Sequence, residues 1–243
     1  MKKSITLLAS LAMLGLFSCN GGGQQKNETS NADTSATTTP APVVQKPAFT
    51  PFDLVAIRHP VKDYAKWLPM YKSHDSVRMA YGVSQFAIGR EIPDSNKLIV
   101  FDKISDIAKA KEFTNLPDLK ETMAKAGVTG KPTFDFVHVI RFNDSITQPA
   151  ERMMVKHHVK DFDAWLKVYD GEGASSRASN GLIDKALSRG IDDSNMVYIV
   201  FVVTDMAKAK ARASSPELKK IMQDAGVDGP PTVTFYKVAD VAH

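Results

Sequence analysis

VKDYAKWLPMY, residues 61–71, returns at residues 159–169 as VKDFDAWLKVY. Read outward from these two stretches, residues 59–139 align with 157–238 once the second copy is given one extra residue between Gly171 and Asn180. The match extends to a late passage, Ala126-Gly127-Val128-x-Gly130-x-Pro132-Thr133, which recurs as Ala225-Gly226-Val227-x-Gly229-x-Pro231-Thr232. The folded part of the chain is therefore a duplication, with units at 51–143 and 151–240. Solenoid repeats have periods of about 20–50 residues, so each of these longer units is a small domain in its own right.

Both copies carry the same local signals. Short apolar strands, Leu54–Ile57 and Met153–Val155, lead into Asp63 and Asp161, which stand where a helix N-cap belongs because a carboxylate there accepts from orphan first-turn amides. Aromatic and apolar residues then recur at three- and four-residue spacing, Tyr64, Trp67, Leu68 and Tyr71 in one copy and Phe162, Trp165, Leu166 and Tyr169 in the other, which predicts one buried helix face. Gly82 and Gly181 mark the end of that helix. Two further strands, 83–90 and 98–104, flank Asp94-Ser95-Asn96, a turn sequence repeated as Asp193-Ser194-Asn195. Ser105 and Thr204 are expected to cap a second helix, which restarts at Pro117 or Pro216, and a last strand begins at Thr133 or Thr232. The order β-α-β-β-α-β is the split-βαβ, ferredoxin-like arrangement of an α+β fold. Such a unit makes a four-stranded antiparallel sheet with its helices on one face. The other face needs cover, which the second copy can supply.

A unit of this length, entering its first helix by His-x-Val-x-Asp-aromatic-x-x-Trp (residues 59–67 and 157–165), resembles the dimeric α/β-barrel superfamily, and within it the antibiotic-biosynthesis-monooxygenase-like branch. The resemblance covers nearly all of residues 52–240 and implies an intrachain barrel built sheet to sheet from tandem ferredoxin-like units. Haem-degrading members use a histidine on the second helix. Residues 105–126 and 204–225 contain none, which argues against haem breakdown.

The N-terminus reads as a leader. Lys2 and Lys3 precede an apolar run, residues 5–17, that is shorter than the roughly 20 residues a membrane-spanning helix needs and suits a signal peptide. It ends at Leu16-Phe17-Ser18-Cys19, which resembles a bacterial lipobox. The expectation is a leader over 1–18, a lipid on Cys19 and a tether over 19–50 in a bacterial cell envelope, with the folded part outside the cytoplasm. The tether is too poor in large apolar residues to fold, and its reach is about 30 Å. Loss of Lys2 and Lys3 takes the formal net charge of +4 to +2, and no basic run stands out, which excludes a nucleic-acid partner. Cys19 is the single cysteine, so neither an intrachain disulfide nor a multi-cysteine metal site can form. No cofactor or metal is expected.

Candidate ligand-binding residues are Trp67, Tyr71, Trp165, Tyr169 and His157; candidate catalytic residues are His59 and His74. An indole can wall a pocket between helix and sheet, or simply fill the core. A histidine near neutral pH can act as a base or orient a ligand. His59 and His157 recur on the first strand of each copy, whereas His74 faces Glu172 in the alignment and is private to copy one. Arg90 and Arg189 recur beside the Asp-Ser-Asn turns, and Arg78 and Arg177 near the end of the first helix, where a cation suits the helix dipole. The chain lacks GxGxxG, P-loop, HExxH and GxSxG sequences.

Three functions fit. The first is a lipid-anchored module binding a small apolar or aromatic molecule. The second is a cofactor-independent monooxygenase-like enzyme for a phenolic or quinol-type substrate, and the third a structural or partner-binding lipoprotein. The first two require that Trp67, Tyr71 and His59 line a void of a few hundred Å³. Because the pair is made within one chain, the folded part is expected to be a monomer.

Overall fold

The computed structural model describes residues 49–242. The leader, Cys19 and most of the tether lie outside the described residues. The first repeat runs β1 (Phe52–Pro60), α1 (Tyr64–Ser73), α2 (Asp75–Ala80), β2 (Val83–Glu91), β3 (Lys97–Ile104), α3 (Ile107–Thr114), α4 (Pro117–Lys125) and β4 (Thr133–Phe142). The second runs β5 (Glu151–Val159), α5 (Phe162–Glu172), α6 (Ala174–Ser179), β6 (Leu182–Gly190), β7 (Met196–Val203), α7 (Met206–Ala213), α8 (Pro216–Asp224) and β8 (Val227–Val241).

Asp63 and Asp161 cap α1 and α5, accepting from the amides of Ala65 and Ala164 at 2.8 Å each. Two local expectations change. What the spacing predicts as one helix is two, broken at His74 and at Gly173; Gly173 has a positive φ of 80°. The extra residue of copy two is absorbed at this break, since α5 has 11 residues and α1 has 10. The caps of α3 and α7 are Asp106 and Asp205, whose carboxylates accept from Lys109 and Lys208 at 3.0 Å, rather than Ser105 and Thr204. The amides of Ser105 and Thr204 instead donate to the carbonyls of Gly82 and Gly181, extending the β2–β3 and β6–β7 ladders by one bond each.

All eight strands pair antiparallel in one closed barrel, in the order β1-β3-β2-β8-β5-β7-β6-β4. Each repeat contributes a four-stranded sheet, and two seams, β2–β8 and β4–β6, join them. Alternation along a strand divides every sheet into two faces. On β1, Val55 and Ile57 pack under the helices with Trp67, whereas Leu54 and Ala56 face the lumen. The second repeat does the same with Met153 and Val155 outward and Met154 inward. Buried strands explain the β-branched run Met196–Val203, apolar on both faces.

The seams are not equivalent. At β2–β8 the ring of Tyr236 lies over Gly89, where a Cβ would approach its Cδ2 to 2.3 Å. The aligned residues at the other seam are Ser188 and Val137, a pair of moderate size. Gly89→Ala is expected to cost about 1–3 kcal/mol by overpacking. Gly89→Ala combined with Tyr236→Leu should lose less than the sum of the single changes in chemical denaturation; strictly additive losses would contradict the contact.

Candidate functional site

Under the helices of repeat one, α1 presents an aromatic column. Trp67 stacks on Tyr71 at 4.9 Å between centroids and lies 5.5 Å from the ring of His59 on β1. The Tyr71 hydroxyl donates to Asp102 Oδ1 at 2.6 Å, and the Arg78 guanidinium sits 3.8 Å over the Tyr71 ring while donating to its carbonyl. Asp102 is wholly buried, and its Oδ2 has no hydrogen-bond partner. Burial pushes its carboxyl up to about 6 against the opposing pull of the Tyr71 hydrogen bond. His59 is 4% exposed with Nδ1 unpartnered, and burial lowers its pKa to about 4, so the ring is neutral at pH 7. His74 borders the same space, and burial lowers its pKa also.

Repeat two rebuilds the column with different polar groups. Trp165 stacks on Tyr169 at 5.1 Å and meets His157 at 5.4 Å. His157, 4% exposed, has neither ring nitrogen paired, and burial lowers its pKa to about 4. The Tyr169 hydroxyl donates to Asp184, on β6, which Arg177 grips with two nitrogens at 2.7 Å. In the alignment Asp184 corresponds to Gln85, and Asp102 to Phe201. Gln85 is the register partner of Asp102, and Asp184 of Phe201. The tyrosine partner has thus moved one strand across the sheet between copies. The His74–Phe113 ring pair of repeat one, 6.2 Å apart, is likewise replaced by a Glu172–Arg212 ion pair at 2.8 Å.

The structure therefore brings His59, Trp67, Tyr71 and His74 together, and separately His157, Trp165 and Tyr169. The space beside each group is small, about 50 Å³ in repeat one and about 90 Å³ in repeat two. Trp67, Tyr71 and His59 therefore do not line the void of a few hundred Å³ that the binding and oxygenase readings require of them, and a space of that size lies elsewhere. Asp102 and Asp184 belong to these clusters and were not among the candidates. An aspartate inside the apolar strand 98–104, facing a phenylalanine in the other copy, was the available signal. Arg78 and Arg177 turn inward onto tyrosines instead of serving the helix end alone. Arg90 and Arg189 tie the turns by donating to the carbonyls of Ser95 and Ser194 at 2.7 Å.

The large space is the barrel lumen, about 820 Å³. Its walls are mostly apolar, with Leu54, Phe101, Val137, Val139, Met154 and Val200 in the middle. Ala56, Ala87 and Ala186 fill little of an interior that eight-stranded barrels commonly pack with side chains. Phe52, Phe86 and Phe142 form a mutually touching trio with centroids 5.6–5.9 Å apart, at the start of β1, within β2 and at the end of β4. The Lys103 ammonium lies over two of these rings.

The sequence matches no protein-family model and no curated protein. Its fold matches solved structures. A protein from Fusobacterium nucleatum provisionally called a monooxygenase superposes with a TM-score of 0.51 at 14% identity, over 79% of this chain and 93% of that one. An anthrone oxidase-like protein superposes with a TM-score of 0.51 at 12% identity, over 79% and 92%. The chain has the dimeric α/β-barrel fold with both halves in one polypeptide.

The buried groups set a pH signature. Above pH 6.5 the neutral His59 and His157 contribute nothing; between 6.5 and about 4 only the unfolded chain protonates them, so stability falls. Asp102 acts oppositely, because the folded state takes up its proton near pH 6, before the unfolded state does. Two histidines outweigh one aspartate. Thermal unfolding at pH 8 and pH 4.5 should show a net loss on acidification. Asp102→Asn should be about 1–2 kcal/mol more stable at pH 8, because it removes a buried charge, and should lose more than wild type towards pH 4.5. An unchanged slope would contradict the assignment.

Proposed function

We propose that the chain is a cell-envelope protein, tethered by a lipid on Cys19, whose barrel lumen holds a small apolar or aromatic molecule. The observation that carries this reading is the lumen itself. Its volume of about 820 Å³ falls within the range of small-molecule sites, and its walls combine apolar side chains with a few polar groups. A purely structural role gives no reason to keep such a space, since an unfilled core forfeits packing energy. The neutral fluorophore N-phenyl-1-naphthylamine should bind saturably with a blue shift, and Leu54→Trp, which narrows the lumen, should weaken this while thermal unfolding stays cooperative. Affinity unchanged in Leu54→Trp would place the ligand elsewhere and overturn the reading. For the anchor, Cys19→Ala should release the protein from membranes into the soluble fraction; retention would count against it.

A second reading is a cofactor-independent oxygenase for a phenolic or quinol-type substrate. It is supported by the helix-side cluster of repeat one, in which His59 and Asp102 hold unpartnered buried polar atoms beside stacked aromatic rings, and it requires the space of about 50 Å³ there to widen around the substrate. The fold shared with an anthrone oxidase-like protein is compatible with it. Oxygen uptake with a panel of quinols, lost in His59→Ala, would support this reading, and no uptake with any member would reject it.

A further inference from the structure

The alignment of the repeats exposes an imbalance within the lumen. Where the first repeat places Leu54, Gly89, Ile99 and Val137, the second places Arg152, Ser188, Tyr198 and Tyr236. At these four positions the first repeat is apolar and the second carries hydroxyls and a guanidinium. The shared fold does not require a cation at Arg152, because Leu54 occupies the same position in the other copy.

Arg152 lines the lumen and is 4% exposed. Its two terminal nitrogens donate to three main-chain carbonyls, those of Pro149, Glu151 and Thr147. A guanidinium has five N–H donors, so two remain unmatched, the Nε–H among them. Among the described residues no carboxylate forms an ion pair with it; Glu151 is directed to Lys237 at 3.4 Å. Tyr236 stands beside it, 3% exposed, with a hydroxyl that makes no hydrogen bond among the described residues. Burial raises the pKa of Tyr236 against the pull of Arg152 and Arg58, which keeps the phenol protonated and able to donate. Lys103, also on the lumen, touches phenylalanine rings and has no carboxylate partner among the described residues. The acidic lining groups are engaged: Asp240 pairs with Lys72 and accepts from Gln85, at 2.8 and 2.9 Å, and Asp144 accepts from Ser145.

A buried cation without a counter-ion is costly, and a guanidinium offers a carboxylate matched pairs of donors. We propose that the lumen binds a carboxylate-bearing amphiphile, its head group on Arg152 and Tyr236 and its apolar body against the first repeat's wall. This rests on the lumen reading above and narrows it to an organic acid.

Three probes of equal chain length separate the two claims: dodecanoate, dodecan-1-ol and dodecylammonium, titrated below micelle formation at pH 7.5 into the full mature chain. Dodecanoate should bind at least tenfold more tightly than the alcohol and raise the unfolding temperature most; the ammonium should bind least. Arg152→Met should cut dodecanoate affinity to the level of the alcohol and leave the alcohol unchanged. If alcohol and carboxylate bind equally to wild type, the organic-acid proposal is overturned while the lumen reading stands. If none of the three binds and N-phenyl-1-naphthylamine fails as well, the lumen reading falls with it. Dodecanoate affinity lost in Trp67→Phe but kept in Leu54→Trp would move the site under the helices and overturn the proposal. Should Arg152→Met fail to fold, the ranking of the three probes on wild-type protein still decides.

Discussion

A four-stranded ferredoxin-like sheet has one face covered by helices, one bare apolar face and two unpaired edges. In this chain all three problems are solved by one contact, the pairing of each sheet's edge strands with those of the other at β2–β8 and β4–β6. Closure removes the edges that would otherwise template aggregation, and it encloses the bare faces around a lumen. The helices then need only seal the outer faces, which they do with Trp67 and Trp165.

Because the two halves are covalently joined, they are free to differ, and they have. A homodimeric barrel must present every lumen residue twice. Here Leu54 faces the interior from one side and Arg152 from the other, and the bulk of Tyr236 is accommodated by Gly89 at one seam only. Outside the barrel the divergence is compensated locally: the carboxylate that accepts from Tyr71 sits on β3, and the one that accepts from Tyr169 sits on β6. The helix-side clusters thus keep the same architecture with exchanged parts, and the lumen has become lopsided.

The fold was legible because the signals for it are local and written twice. Asp63 and Asp161 cap as their position demands, Pro117 and Pro216 restart helices at their first residue, and the Asp-Ser-Asn turns fall between the predicted strands. The grouping of His59 with Trp67 and Tyr71 was also accessible, since strand alternation and helical spacing point them to one side of one sheet. The lumen was not accessible. Its residues share no motif, come from all eight strands, and depend on which face of each strand turns inward and on how little Ala56 and Ala186 fill. Asp102 was missed because a lone aspartate in an apolar strand has no partner in sequence; Tyr71, which donates to it, lies 31 residues away.

The central claim is that the ligand site is the lumen and not the space beside the conspicuous tryptophans. Photo-crosslinking with a diazirine-bearing alkyl carboxylate, followed by peptide mapping, tests this most directly. The account predicts adducts on lumen-facing positions of the strands, among them Phe101, Met154 and Val200. Adducts confined to the helices around Trp67 and Trp165 would contradict it.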